Sequence, residues 1–384
     1  MADQDAEDSG AEEPGAVPPG IPAPVLAPSD LDSCAASESF LQSDFWGRFK
    51  ARFGWTPRAF SLDWGGTRSF LLTLGRRLGP WSFVYCPWGP ELPESLFAGE
   101  GEKNAQLEKI AVLLSRELPR STVFIRFDVP WYAGDGAEDG ASDRDDTAPS
   151  RAFPAPFVRA GSDVQPPDSV IIDLRPPEAA ILAGMKPKWR YNVGLASKKG
   201  VTVEQVEDTD IEKGLDIFYA LYTRTARRDS IAIHSLNYYK TLFEEGGKDR
   251  NTALRLYFAR HEGEVIASVI ILARGDTGTY LYGASADRKR NLMAPYALQW
   301  RAMKDAKAAG CRRYDLFGIA PSADPGHPMA GLYRFKTGFG GSIIHRPGSR
   351  DYPRRPLLYR LFRCAETLRK GLRDAKKKFR TRRP

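Results

Sequence analysis

Apolar side chains recur along this chain with two spacings, one typical of helices and the other of strands. Spacings of three and four residues predict helices over residues 46–53, 104–118, 189–199, 211–227 and 295–309. Alternating or continuous apolar runs predict strands over residues 67–76, 81–85, 122–127, 254–260, 264–274, 278–284 and 312–317. Helices and strands mixed in this order predict an α/β fold.

The most informative stretch is residues 328–341, about ten residues past a strand-like run. Apolar residues spaced three apart predict a short helix there, which Gly338 is expected to end in a left-handed cap. Arg334 and Lys336 then lie near the helix end, beside a glycine-rich turn. Two cations beside such a turn suit an anionic substrate, and the alternative is a surface helix whose cations face its own negative dipole end.

Seven further stretches carry informative patterns, at residues 41–50, 85–90, 124–128, 185–200, 225–229, 280–285 and 293–300. Together with residues 328–341, and in the same order, they resemble the motifs of the FemABX family. Members of that family are aminoacyl-tRNA-dependent transferases that build peptidoglycan cross-bridges. The resemblance covers about residues 40 to 347, with one departure at Trp88, where the family often has Arg. It implies two tandem GNAT-like N-acyltransferase domains.

Composition and resemblance together divide the chain into four regions. Residues 1–38 are acidic and rich in Pro and Ala, and we expect them to be disordered. Residues 39–184 are the predicted first GNAT-like domain, with an acidic loop insertion at about 133–168. Residues 185–350 are the predicted second GNAT-like domain, and residues 351–384 a basic C-terminal helix and tail.

Charge is distributed unevenly along the chain. Of a net +8, residues 1–44 contribute −10, and residues 354–384 contribute +11 from thirteen Lys or Arg and two acids. Basic surface favours nucleic-acid phosphates or an anionic membrane. The acidic, proline-rich N-terminus differs from a secretory signal, so we expect a cytoplasmic protein, peripheral on the inner face of the membrane through its tail. The four Cys and four His are scattered, so no metal is expected.

The resemblance implies that amino acids pass from aminoacyl-tRNA to the stem-peptide amine of a peptidoglycan precursor, either lipid II or UDP-MurNAc-pentapeptide. Because the aminoacyl ester is already activated, no cofactor is needed. Lys336 resembles the family lysine that meets the tRNA end and the developing oxyanion, and Asp128 the carboxylate that contacts the amine. The alternative for Asp128 is a cap or turn residue.

Further substrate-binding residues follow from the same motifs. Lys50 and Arg228 resemble the cations that grip the pyrophosphate, Tyr282 is placed to hydrogen-bond the muropeptide, and Arg334 joins them beside the catalytic lysine. The corresponding structural interpretations are a surface lysine at 50, an arginine paired with Asp229 and a half-buried strand aromatic at 282.

The predicted tRNA contacts lie on one helix: Lys186, Lys188 and Arg190, with a tryptophan between them. Cations with an aromatic residue between them suit contacts with RNA phosphates and stacking on RNA bases. The alternative is an ordinary solvent-exposed helix face. In the C-terminal segment, apolar residues at 358, 361, 362, 365, 368, 372, 375 and 379 predict an amphipathic helix.

Two other functions remain open from the sequence. One is acyl-CoA-dependent N-acylation, which the fold supports elsewhere but which uses a glycine-containing phosphate loop. The corresponding residues 286–293 contain no glycine, although three cations there could meet phosphates. The other is a non-catalytic tRNA- or membrane-binding protein that kept the fold.

Overall fold

The computed structural model describes residues 22–97, 99–132, 153, 155–229 and 231–381, with the backbone alone given at residues 100, 370 and 372–381. The α-helices in these residues are α1 (Asp44–Ala51), α2 (Glu100–Glu117), α3 (Glu178–Gly184), α4 (Pro187–Lys198), α5 (Ile211–Asp229), α6 (Leu236–Gly247), α7 (Ala294–Ala308), α8 (Ala330–Thr337) and α9 (Pro356–Thr381). The strands are β1 (Val25–Ser29), β2 (Thr56–Trp64), β3 (Thr67–Leu78), β4 (Trp81–Cys86), β5 (Thr122–Asp128), β6 (Val158–Arg159), β7 (Asp168–Asp173), β8 (Thr202–Gln205), β9 (Thr252–His261), β10 (Glu264–Arg274), β11 (Thr277–Ser285), β12 (Arg313–Asp315), β13 (Ser342–His345) and β14 (Ser349–Pro353).

These strands form two mixed sheets of seven strands each. The first has the order β1-β2-β3-β4-β5-β14-β6, and the second has the order β13-β7-β12-β11-β10-β9-β8. Both sheets contain the same unit, in which three antiparallel strands are followed by a helix and a parallel strand. In the first sheet α2 connects β4 to the parallel β5, and in the second α7 connects β11 to the parallel β12. The predicted α/β fold with two tandem units is confirmed.

Each sheet also contains a strand contributed by a distant part of the chain. Strand β7 precedes residue 185, the predicted start of the second domain, yet it pairs with β12 in the second sheet. Strand β14 lies at the predicted end of the second domain, yet it pairs with β5 in the first sheet. The predicted boundaries at 184 and 350 therefore differ from sheet membership. A buried ion pair between Arg126 and Asp351 (2.7 Å) joins β14 to β5.

The segment predicted to be disordered is partly ordered. Strand β1 pairs with β2 along its whole length, and Cys34 is fully buried, so residues 22–38 belong to the first sheet and its core. Residues 1–21 lie outside the described residues, and so do 133–152 and 154 of the predicted acidic insertion. The rest of that insertion forms β6 and leads into β7. Strand β1 was not predicted, because it lies in an acidic, proline-rich segment and most of its own side chains are exposed.

Helices cover both faces of each sheet, and one core is shared between the sheets. Helix α2 packs on one face of the first sheet, while α1 and α9 pack on the other. Helices α4 and α7 cover one face of the second sheet, and α5 and α6 the other. The core of α1, α5 and α6 includes side chains from both sheets, so the two halves meet there. None of the described helices is both long and apolar enough to cross a bilayer.

Candidate functional site

Lys336 lies on α8 with only 5% of its surface exposed. Its Nζ donates to the carbonyls of Phe317 (3.0 Å) and Gly318 (2.9 Å), in the turn that follows β12. Phe317 adopts a left-handed backbone conformation (φ 59°), which is uncommon for a bulky residue. Burial lowers the pKa of Lys336 to about 7, and the carboxylate of Asp315 acts in the opposite direction. An ammonium has three donors, so the two carbonyls leave one N–H, and the ring centre of Tyr280 lies 5.1 Å from Nζ.

Gly338 follows α8 but does not form the predicted left-handed cap. Its φ is −74°, in the right-handed helical region, so that prediction is wrong. Glycine is required here for a different reason, since a Cβ would lie 2.0 Å from the ring of Trp189 on α4. The left-handed conformations occur two and three residues later, at Gly340 and Gly341 (φ 83° at both). The glycine-rich turn therefore lets α4 approach the end of α8 closely.

Asp128 ends β5 and is 3% exposed. Three donors reach its carboxylate: the Tyr85 hydroxyl (2.5 Å), the Gln165 backbone N–H (3.0 Å) and the Ser349 hydroxyl. Burial raises the pKa of Asp128 to about 6, and the hydrogen bonds from Ser349, Tyr85 and Gln165 act in the opposite direction. At neutral pH the group is mostly ionised, but it lies close enough to its pKa to take up a proton.

One segment between β6 and β7 contacts the surroundings of both Asp128 and Lys336. Gln165 donates to Asp128, and the next residue, Pro166, packs so closely on Gly318 that a Cβ there would lie 2.9 Å from its ring. Gly318 is one of the two carbonyl acceptors of Lys336. The structure therefore brings the two predicted catalytic residues to opposite sides of a two-residue bridge between the sheets.

Lys50 lies at the end of α1 among aromatic rings. Its Nζ is 5.3 Å from the ring centre of Trp46, 5.4 Å from Tyr238 and 5.9 Å from Trp55. Within the described part of the chain it has no carboxylate partner and no hydrogen bond. Burial lowers its pKa to about 8, with a smaller contribution from the nearby cation Arg76. A half-buried ammonium without a counter-ion is suited to receive an anion.

A group of tyrosines continues from Lys50 toward Tyr282 on β11. The Tyr238 ring lies 5.7 Å from that of Tyr239, which in turn lies 5.1 Å from that of Tyr282. Arg228, at the end of α5, donates to the carbonyl of Ser285 at the end of the same strand (3.0 Å). Aromatic rings thus connect Lys50 to Tyr282, and Arg228 joins the end of the same strand through the Ser285 carbonyl.

Arg228 is already paired, as the structural interpretation anticipated. Its Nε lies 2.8 Å from Asp229, and its guanidinium is also 4.0 Å from Asp287. The pKa of Arg228 is raised, chiefly by the hydrogen bond to Asp229. Arg228 therefore carries a smaller uncompensated charge than Lys50 does.

The predicted tRNA contacts lie at the start of α4, next to α8. Lys186 and Lys188 are exposed at the start of α4, and Arg334 is exposed on α8. The two helices touch because the Trp189 indole N–H donates to the carbonyl of Phe335 (2.8 Å). Arg190 instead turns inward and donates to the carbonyl of Ala183 (2.8 Å). Two of the three predicted tRNA contacts are thus exposed at the start of α4, and the third, Arg190, donates to the backbone before α4.

Sequence reasoning missed the partners of these residues. Tyr85 lies within the motif at residues 85–90, but the sequence analysis gave it no role. Ser349 was missed because only the pairing of β14 with β5 brings it to Asp128. Arg346 was also missed: it is 8% exposed, lies 4.1 Å from the ring centre of Trp88 and donates to the Pro130 carbonyl (3.2 Å). Trp88, the one departure from the family motif, therefore packs against the buried guanidinium of Arg346.

A solved structure shares this fold. The solved structure of FemX superposes with a TM-score of 0.69 at 19% sequence identity, covering 87% of this chain and 97% of that one. This likeness establishes the shared fold.

The curated relatives match smaller parts of this chain. A lipid II:glycine glycyltransferase of Staphylococcus saprophyticus is 21% identical over 272 residues, which are 56% of this chain and 64% of the relative. That of Staphylococcus aureus strain USA300 is 22% identical over 262 residues, 52% of this chain and 61% of the relative. That of Staphylococcus haemolyticus is 30% identical over 104 residues, 27% and 25% of the two chains. The matches thus span less than two thirds of these relatives.

The family model described as the FemAB family matches residues 150–254 and 248–367. These two overlapping matches cover more than half of the chain. They include Arg228, Tyr282 and Lys336, whereas Lys50 and Asp128 precede them. On this evidence the chain belongs to the FemAB family.

Proposed function

We propose that this protein is an aminoacyltransferase that adds amino acids from aminoacyl-tRNA to the stem-peptide amine of a peptidoglycan precursor. The observation that carries the proposal is the buried Lys336 ammonium, held by two carbonyls with one donor free, in a chain of the FemAB family. The relatives named as lipid II:glycine glycyltransferases support the same reaction class. Lipid II or its soluble nucleotide-linked counterpart is the acceptor.

The reaction forms an amide bond and breaks an ester bond. The acceptor amine attacks the ester carbonyl, the ribose oxygen leaves with a proton, and the amine gives up a proton to a base. Lys336 is placed to donate its remaining N–H to the oxygen that becomes negative. Because the ester is already activated, the reaction needs no cofactor.

We assign Asp128 to the amine side of the reaction. All three of its hydrogen-bond donors come from the protein, and one of them is the Tyr85 hydroxyl. The carboxylate therefore acts on the amine through Tyr85, by orienting the hydroxyl and stabilising positive charge beside it. Lys50 and Tyr282, joined by the rings of Tyr238 and Tyr239, together with Arg228 at the end of β11, would receive the pyrophosphate and sugar.

The outer surface of α4 and α8 is the proposed place for the tRNA end. Lys186 and Lys188 are exposed at the start of α4, and Arg334 is exposed on α8, the helix that also carries the buried Lys336. Phosphate contacts of this kind position an RNA without reading its sequence. The basic C-terminal segment would hold the enzyme peripherally at the inner face of the membrane, where a lipid-linked acceptor is found.

The acyl-CoA alternative is less well supported by the loop after β11. All three of its cations pair with carboxylates: Arg288 with Glu264, Lys289 with Glu262 (2.9 Å) and Arg290 with Asp287 (3.7 Å). A pyrophosphate there would have to displace these ion pairs, and the loop has no glycine to let it approach the backbone.

The test is transfer by the purified protein. Radiolabelled glycyl-, alanyl- and seryl-tRNA are each incubated with lipid II and with UDP-MurNAc-pentapeptide, and the products are identified by mass spectrometry. We expect one or more residues on the stem amine with at least one tRNA, and muropeptides lacking them in cells without the protein. No product with any pair, together with an increase in melting temperature on adding coenzyme A, would establish the acyl-CoA alternative instead.

A further inference from the structure

The first half of α9 is held on the first sheet by one of its faces. Tyr359 is 4% exposed, and its hydroxyl donates to Asp351 (3.0 Å). The ring of Phe362 lies 4.8 Å from that of Phe124 on β5, and Arg363 donates to the Arg159 carbonyl (2.7 Å). Tyr359 is thus buried and Phe362 half-buried against the first sheet. This inner face fixes the direction in which the opposite face points.

The opposite face carries a row of exposed leucines. Leu357, Leu361 and Leu368 are 76%, 66% and 68% exposed, and Cys364 is exposed between them. Spacings of four, three and four residues place all four on one side of the helix. Single exposed leucines are ordinary, but a contiguous row marks an interaction site. We call these four residues the outer stripe of α9.

The sequence analysis grouped the apolar residues of α9 into one face, but the structure places them on two faces. Leu358 and Phe362 pack inward on the first sheet, whereas Leu361 and Leu368 point to solvent. In the sequence, the spacing of the outer stripe continues at Leu372, Ala375 and Phe379, and the backbone of α9 remains helical to Thr381. The outer stripe therefore belongs to a helix long enough to lie across several lipid headgroups.

The surroundings of the outer stripe are cationic. Arg360 is exposed beside it, and residues 354–384 carry thirteen Lys or Arg against two acids. A leucine row flanked by cations matches the boundary of an anionic bilayer, where acyl chains lie beneath phosphate groups. A protein partner would need the same charge pattern with a specific shape, and an RNA would leave the leucines uncovered.

Lys50 lies on the same face of the first sheet as α9. The ring of Trp55, 5.9 Å from the Lys50 ammonium, is 5.7 Å from that of Phe83. Phe83 stacks on Phe124 at 5.3 Å, and Phe124 contacts Phe362 of α9. One continuous aromatic row thus joins the proposed pyrophosphate cation to the inner face of the helix.

We propose that the outer stripe of α9 inserts into the headgroup region of an anionic membrane and orients the first sheet so that Lys50 lies beside the bilayer surface. The docking surface stands on the exposed leucines and the charges alone. Its consequence rests on the proposed function: a pyrophosphate bound at Lys50 would then be lipid-linked, because its lipid tail enters the same bilayer.

The test uses the full-length protein and vesicles, without tRNA or acceptor. Sedimentation is measured with vesicles of phosphatidylglycerol and phosphatidylcholine and with vesicles of phosphatidylcholine alone. Leu361→Gln/Leu368→Gln is expected to reduce partitioning into the anionic vesicles about tenfold or more at an unchanged melting temperature. The matched control, Val25→Gln/Val112→Gln, also removes two exposed apolar side chains, away from α9, and should bind like the wild type.

Cys364 supplies a second measurement that does not depend on a mutation. The other three cysteines are buried, so a polarity-sensitive fluorophore on accessible thiols reports on the outer stripe. Its emission should shift to the blue with anionic vesicles and remain unchanged with phosphatidylcholine. Salt-sensitive binding that is equal in the double leucine variant and leaves the probe unchanged would overturn the insertion. So would loss of tRNA binding in that variant without loss of vesicle binding.

The failure of this inference and that of the proposed function are distinguishable. Vesicle binding involves no transfer, so it can be observed in a protein without activity. Conversely, the double leucine variant should transfer to UDP-MurNAc-pentapeptide at the wild-type rate and to vesicle-borne lipid II more slowly. Equal slowing with both acceptors would contradict an orienting role for the outer stripe.

Discussion

The two sheets carry the same carboxylate in the same place, with different neighbours. Asp128 ends β5, and Asp315 ends β12, in each case the strand that follows the crossover helix. Each carboxylate accepts a serine hydroxyl from a strand contributed by a distant segment: Ser349 of β14 donates to Asp128, and Ser169 of β7 donates to Asp315. The exchange of strands between the halves thus completes both positions.

The neighbours differ in charge. Beside Asp128 stands the Tyr85 hydroxyl, whereas Asp315 acts on the buried ammonium of Lys336. Burial raises the pKa of Asp128 to about 6 and lowers that of Lys336 to about 7, so it brings both groups toward neutrality. One scaffold used twice therefore presents a group that can take up a proton and, across the bridge at Gln165, a group that can stabilise negative charge.

The largest expected effect comes from removing the cation of the second half. Lys336→Met should lower the rate of transfer about 100-fold or more, because it removes a charged donor from the oxyanion position. The control Lys213→Met changes an exposed lysine on α5 and should leave the rate unchanged. Initial rates are measured with melting temperatures as the check of folding. Near-normal turnover of a folded Lys336→Met protein would exclude Lys336 from the mechanism.

A smaller effect is expected at the pyrophosphate site. Lys50→Ala should weaken binding of the nucleotide-linked muropeptide by about 1.5–3 kcal/mol, since Lys50 has no counter-ion among the residues that the structure describes, and Arg228→Ala by less, since Arg228 already pairs with Asp229. Because anion binding requires the ammonium, wild-type affinity should fall as pH rises through the Lys50 pKa of about 8. Calorimetry measures both effects, and an equal loss of tRNA affinity would indicate misfolding instead.

The burial of Lys336 also predicts how stability changes with pH. The pKa is about 7 in the folded protein and 10.5 as the ordinary value, so between these limits the unfolded chain holds a proton that the folded chain lacks. Stability of the wild type should therefore rise with pH relative to Lys336→Met, by about 1.4 kcal/mol per unit. Urea unfolding at pH 7.5 and 9.0 measures this. Parallel curves for the two proteins, like those expected for wild type and Lys213→Met, would show that Lys336 stays charged when folded.

Whether an element could be predicted from the sequence depends on how far apart in the chain its contacting residues lie. Strands with long apolar runs, such as β10, and helices with a clear apolar face, such as α5, follow from local periodicity and were predicted close to their observed bounds. Strands β7 and β14 are short and polar at their ends, and their pairing partners lie far away in the sequence. Local patterns cannot identify such partners, so the predicted boundaries at 184 and 350 do not follow sheet membership.

The same limit applies to the site. The resemblance singled out Lys336 and Asp128, and the structure places both at the junction of the sheets. Their protonation behaviour comes from burial and from donors such as Ser349, 221 residues away from Asp128 in the chain. No spacing in the sequence encodes that contact. The aromatic surroundings of Lys50 likewise depend on α6, which the sequence analysis did not predict.

The smallest effects separate the two serines. Ser349→Ala and Ser169→Ala each remove one donor from a buried carboxylate, so each should lower the free energy of unfolding by about 1–3 kcal/mol. Only Ser349→Ala should change the pH dependence of transfer. The Ser349 hydrogen bond lowers the pKa of Asp128, which lies at about 6, and its loss should move the acidic limb of the rate profile to higher pH. Rates between pH 5 and 7.5 with the soluble acceptor measure this. If both variants shift the acidic limb, or neither does, Asp128 is not the group that titrates in transfer, and the two carboxylates are equivalent supports of the fold.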